Sequence, residues 1–406
     1  MVPSRREAFR FWLKLGFISF GGPAGQIAIM HREVVERRGW IADGPFMHAL
    51  NFCMLLPGPE ALQLAIWLGW RLHGVAGGIV AGLCFILPAM AILLALSFVY
   101  ALHGTVPAVA AVLMGLQATV IALIAQALVR LARRALTHPL HWLLAAAALV
   151  LMVGRIAPFP LLLAGAALAG MLVTRDGNVA VPREPVRFPW RSLGAGLALW
   201  ALPAVLVVAL AGPDSLFADI YRFFTTAALV TFGGAYAVLA WVTQQTVEVH
   251  GWLTQAQAVA GLALAETTPG PLIIVLQFIG FMAGWNGAAG ANAAANATTA
   301  AALTSWATFL PSFIFILVGA PYVERLSANR RLAGALAGVT AAVVGVIGSL
   351  AIIFGRGVLF PEGLEVPAWR AIAIAVMAFV VLERTRVDVI WVIAGGAFAG
   401  LVFGMA

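Results

Sequence analysis

The sequence predicts an all-α polytopic membrane protein with two inverted-topology repeats and with broken or re-entrant helices at Phe-Gly-Gly and Pro-Gly-Pro motifs. The composition, a repeated block of motifs and the placement of glycine and proline support this prediction. Hydrophobic residues are 63% of the 406 residues and charged residues 10%, whereas ordinary soluble domains carry about 25% charged residues. The apolar segments are long and continuous rather than alternating, which excludes a membrane β-barrel.

A block of motifs occurs twice, 212 residues apart, as positions 20 and 232 or 58 and 270 show. In the first half the repeated residues are Phe20, Gly21, Gly22, Glu36, Trp40, Pro57, Gly58 and Pro59. In the second half they are Phe232, Gly233, Gly234, Glu248, Trp252, Pro269, Gly270 and Pro271. We interpret the chain as two copies of one unit. Paired interruptions of apolar segments in two halves indicate the binding site of a secondary transporter.

The apolar segments follow a pattern of six, one and six. This pattern divides the chain into an N-terminal membrane repeat (1–174), a cytoplasmic linker with a connecting transmembrane helix (175–211) and a C-terminal inverted membrane repeat (212–406). The first two segments, near 8–30 and 45–70, contain the interruptions. Small-residue pairs at Gly78 and Gly82, Gly334 and Gly338, and Gly396 and Gly400 predict close helix contacts.

The distribution of basic residues predicts the orientation of the repeats. The loop after the first segment contains Arg32, Arg37 and Arg38, whereas its counterpart, 244–252, contains no lysine or arginine. By the positive-inside rule the first loop is cytoplasmic and the second is outside, so the repeats are inverted. We expect a cytoplasmic N-terminus and an external C-terminus in a bacterial-type inner (plasma) membrane. The basic N-terminus favours re-entrant first and second segments in each repeat over full crossings, although full crossings also give inverted repeats.

Several classes of protein are excluded by what the sequence lacks. The net charge of +8 is explained by basic cytoplasmic loops beside anionic lipid rather than by nucleic-acid binding. No histidine or cysteine spacing typical of a metal site occurs, and Cys53 and Cys84 are interpreted as packing residues. Because no nucleotide-binding loop or nucleophile elbow is found, we expect neither an enzyme nor a cofactor.

The interruptions carry the chemistry of an anion site. Proline ends a regular helix, glycine permits close approach of a ligand, and the helix that starts beyond the break points free N–H groups toward it. The alternative is that the breaks are only kinks or packing points. The candidate substrate-binding residues are Phe20, Gly21, Gly22, Pro23, Pro57, Gly58, Pro59, Phe232, Gly233, Gly234, Pro269, Gly270, Pro271, Gln63 and Thr268.

Two carboxylates lie near the Pro-Gly-Pro motifs. Glu60 follows the first motif and Glu266 precedes the second by three residues. An ionisable residue at membrane depth is a functional hypothesis by default, so both are candidates for proton coupling. Each is equally compatible with a role as a helix cap or as a partner of a loop arginine. They are not repeat equivalents, because Glu60 corresponds to Leu272 and Glu266 to Met54.

The residues around the repeated Gly-Trp motif are structural or gating candidates. They are Arg32, Glu36, Trp40, Glu248 and Trp252. We expect the tryptophans to lie in an interfacial belt and Glu36 to pair with Arg32. A gating role is the alternative.

These motifs, in this order and spacing, resemble the chromate transporter family in its long, two-domain form. The residues that carry the resemblance include Phe20-Gly21-Gly22-Pro23, Glu33-Val34-Val35-Glu36, Gly39-Trp40, Leu56-Pro57-Gly58-Pro59, Gly69, Arg71 and Leu87-Pro88. In the second half they are 231–236, Gly251-Trp252, Thr268-Pro269-Gly270-Pro271 and Leu310-Pro311-Ser312. The resemblance implies extrusion of chromate, a tetrahedral dianion, driven by the proton motive force, with resistance to chromate as the outcome.

Two alternatives stay open at this stage. A carrier of sulfate or another oxyanion would use the same kind of site, because half-helix termini recognise mainly charge and shape. A non-transporting membrane sensor or scaffold belongs to a different class and would be expected to carry a soluble domain, whereas the longest polar stretch is the short segment 175–190. The expected partners are chromate or sulfate, protons and the lipid bilayer. The sequence leaves the oligomeric state open, with a homodimer as one option.

Overall fold

The computed structural model describes residues 2–174, 188–232, 234–287, 292–323, 330–363, 365–385 and 387–405, and these contain helices but no strands. The linker predicted at the start of 175–211 lies, up to residue 187, outside the described residues. The first-half helices are α1 (Arg5–Ile18), α2 (Gly22–His31), α3 (Asp43–Leu55), α4 (Glu60–His103), α5 (Pro107–Ala135), α6 (Pro139–Val153) and α7 (Phe159–Val173). The others are α8 (Trp190–Ala211), α9 (Leu216–Val230), α10 (Ala235–Gln244), α11 (Gln255–Glu266), α12 (Val275–Asn286), α13 (Ala293–Gly319), α14 (Arg330–Leu359), α15 (Trp369–Arg384) and α16 (Val389–Met405).

The all-α membrane fold class is confirmed. Among the described residues five helices are long and apolar enough to cross a bilayer: α4, α5, α8, α13 with the short turn that follows it, and α14. The most apolar stretches of α4, α5, α13 and α14 are partly buried inside the bundle, whereas that of α8 contains no buried residue. Helix α8 packs on α9 and α13 at the outside of the molecule. Helix α8, which connects the two halves in the sequence, therefore lies at the periphery of the bundle.

The backbone takes the same form at equivalent positions of the two halves. A π-helical turn follows α2 at Arg32–Arg37 and follows α10 at Gln245–Val249. After each turn a glycine takes a positive φ, 60° at Gly39 and 62° at Gly251, a conformation that glycine adopts without strain. The repeated sequence thus produces repeated local geometry.

Helices of the two halves pack directly on one another through glycine. A Cβ atom on Gly115 of α5 would collide with the carbonyl oxygen of Gly396 in α16. In the same way, a Cβ on Gly170 of α7 would collide with the carbonyl oxygen of Gly334 in α14. These crossings confirm the predicted small-residue contacts in α14 and α16, and they show that the halves interleave rather than lie side by side.

Helix α4 covers the end of the second predicted segment and the whole of the third, 44 residues in all. It is not one straight helix, because the backbone angles of His73 and Gly74 are not helical (φ −138° and 66°). The chain folds back at this bend, since a Cβ on Gly69 would collide with the carbonyl oxygen of Gly77. The bend falls just after the second predicted segment, which ends near residue 70, so the two arms of α4 correspond to the two predicted segments.

Candidate transport site

The interruptions of the two halves lie together in the core. The N–H of Gly58 donates to the carbonyl oxygen of Thr231 at 2.8 Å, and the N–H of Gly270 donates to that of Ser19 at 2.8 Å. Gly58 and Gly270 are repeat equivalents, and so are Ser19 and Thr231. Each bond therefore joins the Pro-Gly-Pro motif of one half to the segment just before Phe-Gly-Gly in the other half. The two bonds are reciprocal, as expected for two units that share one site.

A helix begins directly after each interruption. Helix α2 begins at Gly22, α4 at Glu60 and α10 at Ala235, while the 3₁₀ turn Leu272–Ile274 leads into α12. The first N–H groups of a helix have no partner within the helix, and the helix dipole is positive at that end. Four helix starts thus border one region of the core. This arrangement fits an anion held by main-chain donors.

The glycines of the Pro-Gly-Pro motifs are packed tightly. Gly58 has φ 118° and Gly270 has φ 101°. A Cβ on Gly58 would lie 2.7 Å from Oγ of Ser312 and 2.8 Å from Nε2 of Gln63. A Cβ on Gly270 would lie 2.8 Å from Cβ of Ala89. Both positions require glycine for conformation and for space.

The glycines of the Phe-Gly-Gly motifs differ, because a Cβ would meet no atom within 4 Å at Gly21, Gly22 or Gly234. Their φ angles are 84°, 74° and 100°. These turns therefore border open space, whereas the Pro-Gly-Pro turns are enclosed. Gly233 lies outside the described residues.

Two buried glutamines hold the interruptions. Nε2 of Gln63 donates to the carbonyl oxygen of Pro57 at 2.7 Å. Nε2 of Gln26 donates to the carbonyl oxygens of Gly270 at 2.6 Å and Ser19 at 3.1 Å. Sequence reasoning had missed Gln26, although an amide inside the apolar run of α2 was a usable signal. The equivalents of Gln26 and Gln63 are valines, Val238 and Val275, so both amides come from the first half.

The other predicted polar residues have identifiable neighbours. The Thr268 hydroxyl donates to the carbonyl oxygen of Ala265 at 2.7 Å, so it closes the end of α11. Glu266 accepts a hydrogen bond of 2.5 Å from the Tyr236 hydroxyl. Tyr236 is not among the site residues predicted from the sequence. It lies two residues after Gly234, and its hydroxyl links the Phe-Gly-Gly motif to the Glu266 carboxylate. Glu60 is the first residue of α4, where a carboxylate is favoured by the helix dipole.

The predicted pair of Glu36 and Arg32 is wrong. Oε1 of Glu36 instead lies 3.1 Å from Nδ1 of His31, and Oδ1 of Asp43 lies 2.7 Å from Nε2 of the same ring. The reason is the π-helical turn, in which residues five apart rather than four apart are neighbours. The equivalent carboxylate, Glu248, pairs with Arg155 of the loop between α6 and α7.

The two tryptophans have different surroundings. Trp40 is half-buried, lies edge-on to Phe11 and has the Arg38 guanidinium 4.9 Å from its ring centre. Trp252 is only 9% exposed and stacks on His250 at 4.3 Å. The ring of Trp252 is therefore packed inside an aromatic cluster with Phe223, Phe224 and His250.

The His31 cluster gives the basic loop a pH-dependent stability. The hydrogen bond to Asp43 raises the pKa of His31, desolvation opposes the rise, and Glu36 supports it. A raised pKa contributes stability that is complete below about pH 6.5 and is lost as pH rises through the folded-state value. We expect His31→Asn to lower the Tm of the purified protein most at about pH 6 and little at alkaline pH. His48→Asn, on an exposed part of α3, is the control, and an equal loss at both pH values would contradict the assignment.

Two apolar clefts flank the interruptions without fitting an anion. One has a volume of about 570 Å³ beside Leu264 and Thr267, and the other has about 400 Å³ beside Leu55 and Phe232. Their linings are almost entirely apolar side chains, and an unpaired dianion is costly there. The main-chain donors between the interruptions are the better candidate.

Helices long and apolar enough to cross a bilayer, with interrupted segments that meet in the core, are typical of multi-pass membrane transporters. The chain matches the chromate transporter family model over residues 6–171 and 218–401. It belongs to the chromate transporter family.

Curated relatives of known name cover nearly the whole chain. It is 35% identical over 400 residues to the chromate transport protein of Pseudomonas aeruginosa, covering 98% of this chain and 92% of the relative. It is 32% identical over 361 residues to a probable chromate transport protein of Synechococcus elongatus, covering 87% and 85%. It is 30% identical over 399 residues to the chromate transport protein of Cupriavidus metallidurans, covering 98% and 92%. No solved structure matches the chain significantly.

Proposed function

We propose that this protein is a secondary active antiporter that exports chromate from the cytoplasm in exchange for protons and thereby confers chromate resistance. The observation that carries the proposal is the pair of reciprocal bonds at Gly58 and Gly270, which gathers four helix starts into one region. Two relatives named chromate transport protein and one named probable chromate transport protein support chromate as the anion.

The anion is held mainly by main-chain N–H groups of the Phe-Gly-Gly motifs and of the first turns of the helices that follow the interruptions, because the N–H groups of Gly58 and Gly270 already bond to carbonyl oxygens. Helix starts supply several donors and a favourable dipole without a fixed positive charge. Such a site binds a dianion strongly enough for recognition, and it releases the anion more readily than a buried arginine would. The open space beside Gly22 and Gly234 is where the anion approaches, because a Cβ there would meet no neighbour.

The repeats 1–174 and 212–406 are inverted in the bacterial inner membrane, with the first two segments of each re-entrant. The reciprocal hydrogen bonds support this arrangement, since a two-fold axis in the membrane plane exchanges Gly58 with Gly270 and Thr231 with Ser19. Rocking of one repeat against the other then exposes the common site to each side in turn.

Protons are exchanged through Glu266, with Glu60 as the second carboxylate. The Tyr236 hydroxyl bonds to Glu266 at 2.5 Å and follows Gly234 by two residues. A change in the protonation state of Glu266 therefore alters the hydrogen bond to Tyr236, which is attached to the Phe-Gly-Gly turn. An intramembrane carboxylate with a defined partner is a typical element of a proton relay.

The inverted arrangement predicts that the two ends of the chain lie on opposite sides of the membrane. The basic residues near the N-terminus and in the loop that contains Arg32, Arg37 and Arg38 support a cytoplasmic position for that end. We expect a cytoplasmic reporter to be active at the N-terminus and a periplasmic reporter to be active at the C-terminus. Both termini on one side would contradict inverted repeats.

Transport into inverted membrane vesicles tests the proposal. Labelled chromate is expected to accumulate when a proton gradient is imposed and to stop accumulating when a protonophore collapses it. Unlabelled sulfate measures the selectivity: weak competition supports chromate as the substrate, whereas stronger inhibition by sulfate than by chromate identifies a sulfate carrier. Accumulation that survives the protonophore would refute proton coupling.

A further inference from the structure

Three hydroxyl groups form a row on one face of α13. Thr304, Thr308 and Ser312 are spaced four residues apart, so they lie one above another on the helix. Their exposed fractions are 0%, 2% and 1%. None of the three hydroxyls has a hydrogen-bond partner among the described residues.

This row departs from the behaviour of most buried hydroxyls in the part of the chain that the structure describes, although Thr225 and Thr243 are also unbonded. The Ser97 hydroxyl of α4 donates to the Leu93 carbonyl oxygen at 2.7 Å, and the Thr340 hydroxyl of α14 donates to that of Leu336 at 2.8 Å. Buried polar groups are normally bonded, and an unbonded one costs free energy. Three unbonded donors on a single helix face therefore lower the stability of the fold, and they point to a ligand that accepts hydrogen bonds.

The row begins at the candidate site. Oγ of Ser312 lies 2.7 Å from the position of a Cβ on Gly58, the glycine whose N–H bonds to Thr231. At the other end, the Thr304 hydroxyl lies against Gly280 of α12. The row thus leads from the first Pro-Gly-Pro motif along the contact between α12 and α13.

The row breaks the symmetry of the two halves. Pro88 corresponds to Pro311, so Ser312, Thr308 and Thr304 correspond to Ala89, Phe85 and Ala81, none of which has a hydroxyl. Gly270 meets Ala89 as Gly58 meets Ser312. The backbones of the two interruptions are alike, but of these two corresponding spans only the one in the second half offers hydroxyl donors beside its interruption.

We propose that Thr304, Thr308 and Ser312 line the route of the oxyanion and donate hydrogen bonds to it as it passes between the Pro-Gly-Pro region and the membrane surface. This inference rests on the proposed function and names further contact residues of the same route. Hydroxyl donors rotate freely and carry no charge, so they replace water around a tetrahedral dianion without trapping it. Because the row is buried here, it meets the anion when α13 separates from α12.

The test uses Ser312→Ala, Thr308→Val and Thr304→Val in the full-length chain, singly and combined. Ser97→Ala and Thr340→Val are matched controls with bonded hydroxyls. Each variant is measured for chromate uptake in the inverted vesicles and for Tm after purification. We expect kcat/KM for chromate to fall about tenfold or more for Ser312→Ala and further for the triple variant, because hydrogen bonds to charged groups are strong.

Stability separates a ligand contact from a structural role. The row variants are expected to keep or raise the Tm because no bond is lost, whereas the controls lower the Tm and keep their uptake. Loss of uptake that follows a loss of Tm would overturn the inference. Normal uptake by the triple variant, with normal wild-type uptake, would overturn this inference alone. Wild-type vesicles that take up no chromate would overturn the proposed function and this inference with it.

Discussion

Valine at Gly58 or Gly270 is expected to lower chromate transport at least tenfold. Both residues have φ angles above 100°, which cost roughly 1–3 kcal/mol for a residue with a side chain. The added carbons would also displace Ser312 and Gln63 at Gly58 and Ala89 at Gly270. About 1.4 kcal/mol weakens binding tenfold, so we expect the uptake of chromate to fall about tenfold to a hundredfold. Vesicle uptake is measured on variants inserted in equal amounts.

Three further variants show whether main-chain donors hold the anion. Gly22→Ala and Gly234→Ala strain the backbone without a collision, so they are expected to insert normally and still lose affinity. Arg37→Gln changes an exposed side chain that bonds Glu33, and its effect is expected to be mild. Gly355→Ala in α14, where a Cβ would also meet no atom, is the neutral control. Near-normal affinity in the valine variants together with loss in Arg37→Gln would show that side-chain charge holds the anion.

Glutamine at Glu266 is expected to remove proton-driven accumulation, leaving uptake at the level found without a gradient. The amide keeps the shape of the side chain but cannot carry the proton. Exchange of labelled for unlabelled chromate is expected to persist, because the main-chain donors remain. Tyr236→Phe removes the hydroxyl that bonds Glu266, so we expect it to shift the pH at which uptake is half-maximal.

Two comparisons complete this experiment. Glu60→Gln tests the second carboxylate by the same measurement. Glu362→Gln changes an exposed residue after α14 and is the control. Proton-driven accumulation at the wild-type level in Glu266→Gln would refute its role in coupling.

The sequence predicted those features that depend on local chemistry. Glycine and proline fix where α1, α3, α9 and α11 end, and the repeat of those residues predicts the repeat of the geometry. The pair of Tyr236 and Glu266 was not predictable in this way, because the two residues belong to different helices and are 30 positions apart. The bond between Glu36 and His31 was missed because a π-helical turn shifts neighbours by one residue, and composition does not reveal that shift.

The hydrogen bond from Gln26 to Gly270 can form only long after Gln26 has been synthesised. The two residues are 244 positions apart, and at about 5–20 residues per second a ribosome needs roughly 10–50 s to pass from one to the other. During that interval the nascent first half already contains its interrupted helices, but their partners have not been made. Backbone groups left unpaired in lipid are costly, so the newly inserted half depends on the insertion machinery or on water until about two-thirds of the chain, up to Gly270, has been translated.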